Sequence, residues 1–184
     1  DEKRRSALIH EASAAILELE VAMGSSRPVR AEIASVKKYC SSDSVVAHLV
    51  ESIPEDISAR GAPPMTELKA RFSVAKEEAR KAALAPSNAP KMIGQMIGST
   101  LAALLWEVEG NVKGESEEAV LARASFFLDH GNLQPAVDEL SNLRGYPKTL
   151  VHDWESCAHR RLVADQTISC LKAAAALEHL ERSS

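Results

Sequence analysis

The residues best suited to metal chemistry are His152, Asp153, Cys157 and His159, which fall within eight positions of one another. A zinc site needs nitrogen, sulfur or oxygen ligands that converge on one point, and a catalytic one keeps a position open for water. On a helix His152 and His159 stand two turns apart, and neither an HExxH pair nor a CxxC pair accompanies them. Ordinary packing and surface roles are therefore expected for these four, and no metal or other cofactor. Phosphate chemistry is no better served. In Gly94-Gln95-Met96-Ile97-Gly98-Ser99-Thr100 the glycines are one residue too close for a Walker-type loop, and no lysine precedes the hydroxyl pair. Gly94 and Gly98 form a GxxxG pair instead, which lets helices approach closely. There is no GxSxG elbow, and no Cys or Ser sits in a recognisable activating context. The chain is not expected to be an enzyme.

The spacing that points to function is electrostatic. Between residues 68 and 91, six basic side chains (Lys69, Arg71, Lys76, Arg80, Lys81 and Lys91) face only Glu77 and Glu78, so a chain of net charge −4 contains a window of net charge +4. Directly after it comes the most apolar run, Met92 to Trp106. Its fifteen residues would extend about 22 Å as a helix, short of the roughly 30 Å hydrocarbon core. A basic helix beside an exposed apolar one suits a headgroup layer. Lys76, Arg80, Lys81 and Lys91 are expected to meet an anionic phospholipid surface, with Met92, Ile93, Met96, Ile97 and Leu101 entering the interface. The competing reading is a solvated face next to a core helix. The overall acidity gives no case for nucleic acid.

Helices must position these groups, because strand signals are nearly absent. Of the 184 residues 45% are hydrophobic, yet only 4% are aromatic, as in helices packed through small side chains. Leu8, Ala12, Ala15, Ile16, Leu19 and Met23 form one stripe; Val29, Ile33 and Val36 suggest a short helix; Ser42 or Asp43 can cap a third, with Val46, Leu49, Val50 and Ile53. Pro54 to Pro64 reads as a turn-rich connector, after which Thr66 can cap a long helix through Leu68, Phe72, Ala75, Ala79 and Ala82. Glu107 to Ser116 reads as a loop, with Ser116 capping the next helix. Gly131 can end that helix in the left-handed conformation, Asn132 can cap another along Ala136, Val137, Leu140 and Leu143, Gly145 stops it, and Pro147 suits a new first turn. From Lys148 to about Arg182 no Gly or Pro intervenes, which allows one helix of about 50 Å or two with an unmarked break. The expected fold is all-α: a helical bundle of about seven helices with a long C-terminal helix and no sheet. Cys40, Cys157 and Cys170 make no disulfide framework. The opening Asp1-Glu2-Lys3-Arg4-Arg5, with no initiator Met and no targeting peptide, reads as a piece of a longer protein.

Several segments together resemble the mitofilin family. His130-Gly131-Asn132-Leu133, Ala136, Asn142-Leu143, Gly145, Val151, Asp153-Trp154, Arg160-Arg161-Leu162 and Gln166 match its C-terminal signature, Asn132 standing where the family usually has an acidic residue. Upstream, Ser52-Ile53-Pro54-Glu55, Arg60-Gly61, Leu68 to Phe72 and Val74 to Ala83 follow in the family's order. The resemblance spans roughly Arg27 to Ala176. It implies a single mitofilin-like C-terminal domain over 1–184, with N-terminal helices in 1–64, a basic helix and apolar membrane-binding segment in 65–110, and helices for packing, dimerisation and partner docking in 111–184. It further implies a place at the mitochondrial inner membrane facing the intermembrane space, and a scaffold role at crista junctions without catalysis. The implied partners are a CHCH-domain subunit of the cristae organising complex, the outer-membrane import and assembly machinery, and further copies in a homo-oligomer. Leu143, Tyr146, Asp153, Trp154, Arg160, Arg161 and Leu162 are the interface candidates, with Trp154 first of all a packing anchor. A tetratricopeptide-like soluble adaptor, with Met92 to Trp106 as core, is the alternative. Only one repeat-like unit is present, and a lone repeat cannot stack.

Overall fold

Serine caps start two of the helices, and Gly or Pro stands close to the end of several. The computed structural model describes residues 2–41, 44–85, 91–105 and 107–183, without the side chains of 2–9, 91, 104 and 181–183. The described residues form nine α-helices and no strand: α1 Glu2–Met23, α2 Arg30–Tyr39, α3 Val45–Glu51, α4 Glu55–Arg60, α5 Met65–Leu84, α6 Lys91–Leu104, α7 Glu117–Asp129, α8 Leu133–Leu140 and α9 Gly145–Ser183. None is long and apolar enough to cross a membrane. The chain divides into two compact units, one of residues 65–159 and one of residues 1–64 with 160–184.

The unit made from the two chain ends has an aliphatic core. Ala15, Ile16, Leu19 and Met23 of α1 meet Val36 of α2, Val46 and Val50 of α3, Ile57 of α4, and Ala164, Ile168 and Leu171 of α9. These α9 positions recur at helical spacing, which is why its far half presents one apolar stripe. α3 starts at Ser44, whose hydroxyl accepts the Ala47 N–H at 3.1 Å; the capping candidates Ser42 and Asp43 lie outside the described residues. The connector expected from Pro54 to Pro64 instead contains α4. Pro54 precedes it, Glu55 and Asp56 occupy its first turn and Arg60 its last, so its ends suit the helix dipole.

In the other unit, α5 packs on α6 and α7, and α7 on α8. α5 begins at Met65, so Thr66 lies inside its first turn rather than capping it. Ser116 does cap α7, accepting the Ala119 N–H at 3.2 Å. Gly131, at φ +80°, ends α7 in the left-handed region as its type foretells. Asn132 precedes α8 without a side-chain cap, and α8 already ends at Leu140, so Gly145 opens α9 instead of closing α8. Pro147 then sits in α9's first turn, and α9 is one helix of 39 residues. Residues 145–159 of it belong to this unit.

The approach of α6 to α5 is set by Gly98, which is buried. A Cβ there would lie 2.2 Å from the Lys81 backbone oxygen and 3.3 Å from the Ala85 Cβ. Backbone cannot give way as a side-chain tip can. Gly98→Ala is therefore expected to destabilise this unit by about 1–3 kcal/mol through overpacking. Urea denaturation followed by circular dichroism checks this, and an unchanged midpoint would contradict it.

Candidate functional site

α6 has two unlike faces. Gly94, Gly98 and Ala102 recur every fourth residue and are buried. Turned outward are Met92, Ile93, Met96 and Ile97, with Met92 80% and Met96 73% exposed, while Leu101 is half-buried. The polar residues exposed beside them, Gln95, Ser99 and Thr100, carry no charge, and the Thr100 hydroxyl bonds back to the Met96 carbonyl at 2.9 Å. Water penalises such a face by about 25 cal/mol per Å² of apolar surface. A contiguous patch of large apolar side chains is where a folded surface usually expects a partner.

Several cations of the basic helix behind α6 are engaged by groups of their own unit. Arg80 is 5% exposed: Nη1 donates to the Ala102 carbonyl at 2.9 Å, Nη2 to the Leu105 carbonyl at 2.8 Å, and Nε to Glu118 at 3.0 Å. Two of these acceptors belong to the last turn of α6 and the residue after it, where carbonyls lack helical partners. This corrects the expectation that Arg80 meets headgroups, since a side chain buried and bonded in three directions has no charge to present. Lys76 pairs with Glu107 at 2.6 Å and approaches the Ser125 hydroxyl at 3.5 Å. Lys81 pairs with Glu78 at 3.0 Å and Glu77 at 3.5 Å. The hydrogen bond to Glu78 raises the Lys81 pKa from its ordinary value. Lys69 donates to the Asp129 carbonyl at 2.9 Å. The Lys91 side chain lies outside the described residues. Glu107 and Glu118, which take up two of the cations, carried no signal in the sequence: they are 31 and 38 positions from Lys76 and Arg80.

Of the interface candidates, Leu143 and Trp154 are buried, each 3% exposed. Trp154 Nε1 donates to the Leu68 carbonyl at 2.8 Å, and its ring lies 4.8 Å from that of Phe72 at a tilt of 53°. Trp154 thus holds α9 against α5, and Leu143 packs the α8–α9 turn. Direct contact with a partner does not fit their burial. Tyr146 and Asp153 are exposed, while Arg160, Arg161 and Leu162 are half-buried, Arg161 bonding Asp165 at 3.0 Å. Asp153 and Tyr146 belong to one unit and Arg160 to Leu162 to the other. His152 and His159 are exposed, Cys157 is buried, and among the described residues no three metal-ligating side chains gather. A polar cleft of about 420 Å³ is lined by Lys69, Lys76, Glu77, Glu107, Ser125 and Asp129. Its ammonium groups are already engaged by its own carboxylate and carbonyl oxygens.

The sequence matches the mitofilin family, described as a mitochondrial inner membrane protein, over residues 1–176. The chain belongs to the mitofilin family. Among its relatives are the MICOS complex subunit MIC60 of Paracoccidioides brasiliensis strain Pb03, 34% identical over 84% of this chain, and that of Yarrowia lipolytica, 33% identical over 88%. The MICOS complex subunit mic60 of Neurospora crassa is 32% identical over 84%. This mitofilin segment spans about a quarter of the length of those relatives, 22%, 28% and 23% respectively. No solved structure matches the chain.

Two substitutions test how the mitofilin fold holds this site. Arg80→Met strands the Glu118 carboxylate and two carbonyls, and is expected to lower the stability of residues 65–159 by about 3 kcal/mol or more. Arg80→Lys should recover only part of it, because an ammonium cannot reproduce the three fixed directions. Equal unfolding midpoints for wild type and Arg80→Met would contradict the clamp. Trp154→Phe keeps a ring near Phe72 but loses the indole bond and some packing, a loss of about 1–3 kcal/mol. Chemical denaturation followed by far-ultraviolet circular dichroism reads it.

Proposed function

We propose that this chain is a non-catalytic scaffold domain of the mitochondrial inner membrane, acting on the intermembrane-space side at crista junctions. In this reading it touches the membrane through the outer face of α6 and other proteins through its C-terminal helices. The observation that carries the reading is the exposure of Met92, Ile93, Met96 and Ile97 on a helix whose opposite face is docked. Each such side chain gains about 1.5–3 kcal/mol on leaving water completely. Several entering an interface together suffice for peripheral attachment without a spanning helix. Membership in a family of inner-membrane proteins is consistent with a membrane contact, without pointing to a surface.

The protein contacts follow from resemblance and exposure together. Tyr146 and Asp153, on the unit that the buried Leu143 and Trp154 hold together, are residues through which a CHCH-domain subunit would dock, and Arg160, Arg161 and Leu162 of the other unit are separate candidates. Self-association would use the unit made from the two chain ends, where Leu17 and Leu180 are exposed on an apolar groove of about 520 Å³ also lined by Ile16, Ala175 and Ala176. Contact with the outer-membrane import and assembly machinery belongs to the same scaffold role. The soluble-adaptor alternative required α6 to be enclosed on all sides, and its outer face is not enclosed.

Vesicle co-sedimentation tests the membrane contact. Because Met96 stands in solvent, Met96→Glu should fold as wild type does while its vesicle partitioning falls by about tenfold or more. Equal sedimentation of the two proteins, together with a self-association that Met96→Glu abolishes in the absence of lipid, would assign the face to a protein contact instead.

A further inference from the structure

From the charge distribution around α6 we infer that its lipid surface is selected by loose acyl packing, as at high curvature, and not by anionic headgroups. This rests on the membrane reading above and specifies the lipid it takes. Two independent observations carry it. First, α6 itself, KMIGQMIGSTLAAL, has one ionisable residue, Lys91 at its first position. The exposed side chains of its body are Met, Ile, Gln, Ser, Thr and Ala. A helix that binds by attraction to anionic lipid carries Lys and Arg along its polar face, whereas a packing sensor relies on apolar insertion alone.

Second, three cations of the neighbouring helix are engaged within the protein. Arg80 is buried against Glu118 and two carbonyls, Lys76 is bound to Glu107, and Lys81 is shared by Glu77 and Glu78. Each of these three is answered by a carboxylate of the same unit. An anionic surface would meet those carboxylates as well, so the net pull of these three side chains is small. What remains is cavity formation in the bilayer surface, which costs least where headgroups are splayed and acyl chains already reach water.

The face itself suits such gaps. Met92 and Met96 are unbranched, flexible side chains one helical turn apart, able to adapt to irregular voids. Gly98 keeps α6 pressed on α5, and Arg80 ties down its C-terminal carbonyls, so the helix is presented already folded. Binding then does not depend on charge to bring and order an unfolded segment.

The test compares the whole 184-residue chain on phosphatidylcholine vesicles of about 30 nm and about 200 nm diameter, and on vesicles of both sizes with about 30% phosphatidylglycerol. Partitioning onto the small zwitterionic vesicles is expected to exceed that onto the large ones by about fivefold or more. It should change by less than about twofold between about 50 and about 500 mM salt, where screening would remove an electrostatic contact. Lys81→Gln should leave it unaltered and Met96→Glu should abolish it. Binding that requires phosphatidylglycerol and falls steeply with salt, regardless of size, overturns this inference while leaving the membrane reading intact. Binding to none of the four vesicle types overturns both.

Discussion

A guanidinium taken out of water must have its charge balanced and its donors filled, and the arrangement of residues 65–159 answers that requirement at Arg80. Its carboxylate comes from Glu118 in the first turn of α7, and its remaining donors close the carbonyl end of α6. One side chain of α5 thereby fixes both of its neighbours. Gly98 adds the second condition, that nothing larger than hydrogen stands between α6 and the Lys81 carbonyl. With one face of α6 held in this way, its other face has nowhere to go but outward. The exposed Met and Ile side chains are thus a consequence of how the opposite face is docked.

The same economy explains why a basic window does not make a basic surface. Charge counted along the chain adds Lys76, Arg80 and Lys81 together, because they sit at helical spacing on one element. In the folded protein each meets a carboxylate, and two of these come from far along the chain: Glu107 beyond α6 and Glu118 on α7. The membrane contact proposed here is accordingly apolar, and the proposed protein contacts fall to α9, where Tyr146 and Asp153 remain accessible while Trp154 is committed to Phe72 and Leu68.

Much of the fold was legible because helix patterns are local. The stripe of α1, the Ser116 cap, the left-handed Gly131, Pro147 in a first turn and an uninterrupted α9 all follow from residues within a few positions of each other. α4 was not, since six residues between prolines look like a connector until Ile57 is seen to enter a core. Nor was the pairing of both chain ends in one unit, because helical stripes do not say which partner they meet. At the site, the apolar face was legible by composition and the GxxxG spacing, whereas the fates of Lys76 and Arg80 depended on carboxylates more than thirty positions away. The order of weak motifs pointed to the family; the geometry of Arg80 reassigned what that residue does.

The central claim is that the outward face of α6 enters lipid while the helix stays docked on α5. A nitroxide attached at residue 96, in a chain whose three native cysteines are replaced by alanine, reports both surroundings and mobility by electron paramagnetic resonance. On adding small zwitterionic vesicles, the account predicts a gain in oxygen accessibility and a loss of accessibility to a water-soluble nickel reagent at that position, with no such change for a label at Asp138, an exposed site on α8. A label at residue 96 that remains as open to the aqueous reagent with vesicles as without them would contradict it.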